Sequence, residues 1–304
     1  MHGAMVAESL WSLEAVSLAP ARLREVLLEI PRGVTAVLGW SGAGKTSLLN
    51  LLVDFEKPDA GKMSGARRVA WVPQNGGLWP HCTAREHLEI ARRSRRETDT
   101  LLAAFDLAEK AAALPHEMSE GEQSRLAVAR ALAASAEVLV MDEPLVHVDP
   151  ARARKYWQTI REHCAGTGAS LVFSTHEPEA VLGEAQHVVC LREGRVLHAG
   201  EVAELYENPP TPELMGFLGA GNWFTPDDAR EWLQIEIAAD RCVRPEQIAI
   251  EPQHDGPFFV ETARFCGSIA EVGLRCESSS RLFFHRPAAP VLREEMRAVI
   301  RLRT

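Results

Sequence analysis

The chain has 304 residues, with 33 Lys or Arg against 42 Asp or Glu, a formal net charge of −9. That acid excess argues against a protein living on nucleic-acid phosphates, which needs a basic footprint. The length suggests two domains, the 46% apolar fraction supports a packed core, and no run approaches the about 18 apolar residues of a spanning helix.

In chain order, residues 1–20 lack a basic start followed by an apolar run and a small-residue cleavage site, so a secretory leader is not expected. Val34–Gly39, Val69–Val72, Val138–Met141 and Leu171–Ser174 are short apolar runs of buried-strand length, each followed by polar or Gly/Pro punctuation. Helical spacing covers Lys45–Val53, Ala84–Ala91, Thr98–Phe105, Glu120–Ala134 and Ala151–Cys164. The alternation predicts a parallel sheet covered on both faces. Residues from about 76 to 134 form a helix-rich stretch without a clear strand, and this predicts a helical lobe inserted into that domain. The basic run Arg92–Arg96 reads as a solvated face of the lobe rather than a phosphate-binding arm.

Near Phe217–Gly221 the pattern changes. A helix over Thr225–Leu233 precedes short strands at Gln247–Glu251, Phe258–Phe265, Ala270–Cys276, Arg281–His285 and Ala298–Arg303, which predicts a small barrel or half-barrel. The expected division is therefore 1–221 and 222–304. Six scattered cysteines, none in a C-x-x-C pair, read as reduced thiols in a cytosolic protein.

Two stretches carry chemistry. Gly39-Trp40-Ser41-Gly42-Ala43-Gly44-Lys45-Thr46 fits G-x-x-x-x-G-K-[ST] between a strand and a helix, and Ser47 follows in the first turn. Gly42 and Gly44 let backbone N–H groups approach phosphate oxygens, and the helix N-terminus adds partial positive charge. Lys45 should reach the β- and γ-phosphates, and the Thr46 hydroxyl should ligate Mg²⁺. The strand Val138–Met141 ends in Asp142 and Glu143. Asp142 would hold Mg²⁺ through water, and Glu143 could polarise an attacking water.

With these residues the chain resembles the ATP-binding cassette (ABC) ATPases. Further stretches follow in that family's order. Val72-Pro73-Gln74 resembles the Q-loop, Met118-Ser119-Glu120-Gly121-Glu122-Gln123 the signature, Val148-Asp149 the end of the D-loop, and Ser174-Thr175-His176 the switch histidine. The resemblance implies a P-loop NTPase of α/β fold that binds ATP and Mg²⁺, with Gln74 near the metal. It also implies a homodimer in which Ser119, Gly121 and the following helix meet the γ-phosphate bound by the other copy.

Cys242–Gln247 and Gly267-Ser268 resemble the small OB-like accessory (TOBE) domain of bacterial importer ATPases, where it regulates or aids dimerisation. Partners implied are integral membrane permease subunits and, indirectly, a periplasmic or extracellular solute-binding protein. The location implied is the cytoplasmic face of the inner membrane. Gly76–His81 resembles the region that docks a channel subunit, with Trp79 either an exposed anchor or buried in the lobe. The solute leans towards ferric iron or an oxyanion. The alternative is a soluble ABC-type ATPase acting on nucleic acid or the translation machinery. Such relatives carry long coiled coils or two cassettes, and neither is present here.

The chain also departs from the family pattern. Val16–Pro20 lacks the usual adenine-stacking aromatic; Trp11 reads as core, and Trp40 could substitute. Glu120 and Glu122 add negative charge to the signature, and the D-loop segment Leu145–Asp149 lacks the usual small polar residue, with His147 in its middle. Between Pro58 and Arg67 a strand pair reads as shortened.

Overall fold

The unbroken apolar run Val34–Gly39 folds as a strand in the middle of a sheet, with Ala36, Val37 and Leu38 buried. The structure, a computed structural model, describes residues 9–91, 94–287 and 292–303; Arg92 and Arg93 of the basic run lie outside the described residues. The chain divides into two compact units, Met1–Val202 and Ala203–Thr304. Residues 203–221 group with the second.

In the first unit the strands are β1 (Ser9–Leu18), β2 (Leu23–Pro31), β3 (Val34–Gly39), β4 (Ala60–Gly65), β5 (Val69–Val72), β6 (Val138–Asp142), β7 (Ser170–Thr175), β8 (His187–Arg192) and β9 (Arg195–Glu201). The helices are α1 (Lys45–Leu52), α2 (Ala84–Ile90), α3 (Arg95–Ala104), α4 (Glu120–Ala133), α5 (Pro150–Thr167) and α6 (Pro178–Glu184).

A six-stranded sheet runs β5-β6-β7-β3-β8-β9, parallel from β5 to β8, as expected of buried apolar runs joined by helices. Its edge strand β9 is antiparallel to β8. A separate antiparallel sheet, β2-β1-β4, adds to the expected architecture. It packs Trp11, Val16 and Ile30 into one core with Leu48 and Leu51 of α1. Trp11 is thus core. One strand, β4, stands between α1 and β5, where the sequence predicts a shortened pair.

The helical lobe comprises α2, α3 and α4. Each begins at a Ser or Thr whose hydroxyl accepts the N–H three residues on, while a Glu there returns the bond: Thr83/Glu86, Ser94/Glu97 and Ser119/Glu122. The cap at Ser94 starts α3 three residues before the predicted Thr98.

The second unit contains α7 (Val202–Glu207, crossing the division), α8 (Pro212–Phe217) and the strands β10 (Asn222–Phe224), β11 (Arg241–Val243), β12 (Ile248–Pro252), β13 (Phe258–Cys266), β14 (Ile269–Arg275), β15 (Ser280–His285) and β16 (Arg297–Leu302). The predicted strands form one antiparallel sheet, β12-β16-β13-β14-β15. Trp232 stacks on Phe258 at 5.1 Å and meets Phe283 edge-on at 5.2 Å in its core. No ladder joins β12 to β15 among the described residues. Instead the buried Asn222 amide binds the edge of β15, accepting from Phe284 N at 2.8 Å and donating to Phe284 O at 2.7 Å. Arg244, 1% exposed, donates to the carbonyls of Tyr206, Met215, Gly219 and Ala220, and its guanidinium lies 4.1 Å from the Tyr206 ring centroid.

Candidate nucleotide site

The loop between β3 and α1 turns where only small residues fit. Gly44 adopts φ +105°, and a Cβ there would stand 2.7 Å from the Arg22 carbonyl oxygen. The next residue, Lys45, is buried, with Nζ donating to Gly39 O at 2.8 Å and to Trp40 O at 3.4 Å. Its ammonium is therefore held at the loop, 3.7 Å from Glu143 Oε1. Thr46 Oγ1 donates to Asp142 Oδ2 at 2.7 Å. Ser41 and Thr46 are exposed, and Ser47 is half-buried.

The end of β6 faces that loop because β6 and β3 flank β7 in the parallel sheet. Asp142 and Ser174 are opposite each other in the β6–β7 ladder. The Ser174 hydroxyl donates to Asp142 Oδ1 and accepts the Glu143 main-chain N–H at 2.9 Å. Glu143 takes a left-handed backbone conformation, φ +49°, uncommon for a residue with a Cβ. Its Oε1 lies 3.4 Å from His176 Nδ1, so a single carboxylate oxygen stands between Lys45 and His176. Gln74 lines a cavity of about 210 Å³ together with Asp142 and Glu143. Sequence reasoning assigned Ser174 no role of its own, although its place one strand over and two residues before His176 was a usable signal.

The donor chemistry fits Mg²⁺. Thr46 offers a hydroxyl, Gln74 an amide and Asp142 a carboxylate, all hard oxygen ligands. A cation that keeps several waters and takes substrate phosphate oxygens needs only one or two side chains from the protein.

The signature residues are held elsewhere. Ser119 caps α4: its N–H donates to Glu122 Oε2 at 2.8 Å and its hydroxyl to the same oxygen at 3.1 Å. The Ser119 N–H, foremost, holds the Glu122 carboxyl below the usual carboxylate range. Lys110 Nζ lies 3.9 Å from Glu122 Oε1. The acid in that position is thus occupied by the cap.

The Glu120 side chain is 82% exposed, with Oε2 3.7 Å from His147 Nδ1. Gly121 sits so close to the following loop that a Cβ would be 2.7 Å from His147 O. Ser124 Oγ accepts Leu145 N–H at 3.2 Å, and Asp149 caps α5 by accepting Ala151 N–H at 2.9 Å. Among the described residues no hydrogen bond joins Ser119 or Gly121 to the loop 39–46 of the same chain.

A second network lies behind α4. Arg125 Nε donates to Gly121 O at 3.1 Å, and its Nη1 to Tyr156 Oη at 2.7 Å. Tyr156 donates to Asp106 Oδ2 at 2.7 Å, and Lys155 and Arg152 pair with the same carboxylate. The Lys155 hydrogen bond, then that of Tyr156, draws the Asp106 pKa down to about 2. Nothing in the sequence alone marks these residues as a network.

Trp79, 39% exposed, stacks on His87 at 5.1 Å, and the Arg130 guanidinium lies 5.1 Å from its ring centroid. Neither fully buried nor fully free, it lines a groove of about 950 Å³ with Phe55, Trp71, Ile90 and Arg130. The end of β1 carries no aromatic, whereas Trp40 on the phosphate loop is 62% exposed.

Comparison with known proteins points to one family. The family described as "ABC transporter" matches residues 23–146. The Fe(3+) ions import ATP-binding protein FbpC of Serratia marcescens is 29% identical, over 83% of this chain and 84% of that protein. The sulfate/thiosulfate import ATP-binding protein CysA of Thermosynechococcus vestitus is 31% identical, over 83% and 79%. The FbpC of Pseudomonas fluorescens is 32% identical over 65% and 62%. Among solved structures, an ATP-binding subunit of an ABC transporter superposes with a TM-score of 0.60 at 23% identity, covering 70% of this chain and 95% of that one. An ATP-binding cassette dimer in a post-hydrolysis state with ADP and Pi gives 0.57 at 23% identity, over 63% and 98%. These two structural likenesses concern the fold.

Proposed function

The chain belongs to the ABC transporter family of ATP-binding cassette ATPases, and on that premise we propose that it is the ATP-hydrolysing subunit of a bacterial solute importer. The relatives similar over most of their length are named as importers of Fe(3+) ions and of sulfate or thiosulfate, which favours ferric iron or an oxyanion as the solute. No helix among the described residues is long and apolar enough to cross a membrane, so the channel in this reading is a separate permease. The subunit then works from the cytoplasmic face of the inner membrane, and a solute-binding protein outside supplies the cargo. The groove around Trp79 and Phe55 offers the apolar lining and cationic rim that a permease's cytoplasmic segment would need.

The observation that carries the catalytic reading is the Glu143 carboxylate oxygen set between Lys45 and His176. Backbone N–H groups of residues 39–46 and the Lys45 ammonium bind the triphosphate and orient its terminal phosphoryl group. Thr46, Asp142 and Gln74 hold Mg²⁺, which when bound neutralises charge developing on the phosphate oxygens. Glu143 Oε1 orients a water and accepts its proton, while His176 keeps that carboxylate aligned. Ser174 fixes the backbone from which both acids project. A second copy contributes Ser119 and Gly121 at the head of its α4, facing the same phosphate as a helix-terminal anion site. Asp149 fixes the start of α5 beside that surface. The C-terminal unit is a regulatory or dimer-contact domain in this reading.

The test is Glu143→Gln. With ATP and Mg²⁺ this variant should turn over at under about one hundredth of the parent rate, a loss of the size general-base removal causes, and should accumulate as an ATP-dependent dimer by light scattering. Hydrolysis at the parent rate would refute the assignment of Glu143.

A further inference from the structure

Glu120 poses an electrostatic problem. It is the first residue of α4, flanked by Ser119 and Gly121, the groups that in the proposed function receive a phosphate from the second copy. A carboxylate there is favourable for the helix itself, whose N-terminus attracts negative charge. It is unfavourable for an incoming triphosphate. In the open chain the carboxylate is well solvated and its field is screened; closure of two copies excludes water, and the same repulsion then grows several-fold.

His147 stands where this repulsion can be relieved. Its Nδ1 is 3.7 Å from Glu120 Oε2. Its main chain is held in place, because its carbonyl oxygen packs on Gly121 and the loop before it is tied to Ser124. Among the described residues it is the one basic side chain paired with Glu120, since Lys110 is directed to Glu122. Across the cavity that Glu120 and His147 line stand Asp142, Glu143 and Gln74, so the surroundings are otherwise acidic or neutral. Two departures from the family pattern, one in the signature and one in the D-loop, thus meet each other.

We infer that His147 is the side chain that restrains Glu120 and so a positioning residue for the nucleotide-driven pairing of two copies: it holds the carboxylate sideways against the 145–149 loop, away from the phosphate received by Ser119 and Gly121. This rests on the proposed dimeric ATPase. Without His147 the carboxylate swings freely at the phosphate's entrance. Without Glu120 the histidine has no such task, and its loss should be tolerated.

The experiment uses the full-length chain carrying Glu143→Gln, so that ATP is bound and not consumed. Dimer dissociation constants with ATP and Mg²⁺ are measured by analytical ultracentrifugation for this parent and for added H147Q, E120Q and the pair together. H147Q should weaken the dimer by about twofold to fivefold, the scale of a largely exposed side-chain pair, while a fluorescent ATP analogue binds its monomer as it binds the parent's. Adding E120Q should restore the parent value. Weakening by H147Q of less than about twofold, or an equal loss with and without Glu120, overturns the inference and leaves the dimeric ATPase intact. A parent that fails to dimerise with ATP removes the proposed function, and this inference with it.

Discussion

The Glu143 main-chain N–H donates to the Ser174 hydroxyl at 2.9 Å, and that hydroxyl donates in turn to the Asp142 carboxylate. One small side chain on β7 therefore sets both acids at the end of β6. Ser174→Ala leaves a partly buried N–H without its acceptor and frees the Asp142 carboxylate to rotate. We expect a fall in kcat of about 10- to 100-fold, as is common for residues that orient metal and water ligands, with Ser174→Thr retaining most activity. Steady-state ATPase assays of the two variants check this, and equal loss in both would discard the orienting role.

Gly121 tests how tightly α4 sits against the 145–149 loop. In an exposed helix, Gly→Ala ordinarily stabilises by about 1 kcal/mol. Here the added methyl would stand 2.7 Å from a backbone oxygen, so the loop has to shift. Gly121→Ala should therefore leave nucleotide binding by the monomer unchanged while weakening ATP-dependent association by about tenfold or more, since overpacking typically costs about 1–3 kcal/mol. A fluorescent ATP analogue and size-exclusion chromatography separate the two effects. Unchanged association would show that the loop yields freely.

Asp106 makes the stability of the first unit pH-dependent. Its folded-state pKa, about 2, lies below the ordinary 3.8, because Lys155, Tyr156 and Arg152 all favour the charged form. The folded state thus binds fewer protons than the unfolded one, and this contribution is complete above the ordinary value and fades as pH falls towards about 2. Asp106→Asn should lower the urea midpoint at neutral pH and flatten its decline over that acid window. Parallel midpoint curves for the two proteins would exclude Asp106 as the source.

Much of this molecule can be read directly from residue order. The phosphate loop, the β6 acids and the strand before His176 are local patterns, each an apolar run ended by polar residues, and the structure forms elements at those places. The β2-β1-β4 sheet is not legible in the same way. β1 has bulges near Ala15, whose φ is +50°, and these break the period-2 alternation that marks a half-buried strand. Its partner β4 lies far downstream, beyond β3 and α1, and pairing over that separation leaves no local trace.

The charges in the signature show the same limit. The Ser119-x-x-Glu122 spacing is itself a capping box, so the destination of Glu122 is present in the sequence, where it reads as surplus charge. The meeting of Glu120 with His147 depends on how α4 and the loop after β6 approach each other. Nothing within either stretch encodes that distance.

Arg244 has a practical consequence for anyone dissecting this polypeptide. Its guanidinium is shut away from solvent and depends on carbonyls at Tyr206, Met215, Gly219 and Ala220. A C-terminal fragment beginning at Asn222 would lose those acceptors and the Tyr206 ring stacked on the guanidinium, leaving Arg244 without the contacts that fix it. Excision ahead of Ala203 keeps them, so residues 203–221 have to travel with the piece that follows.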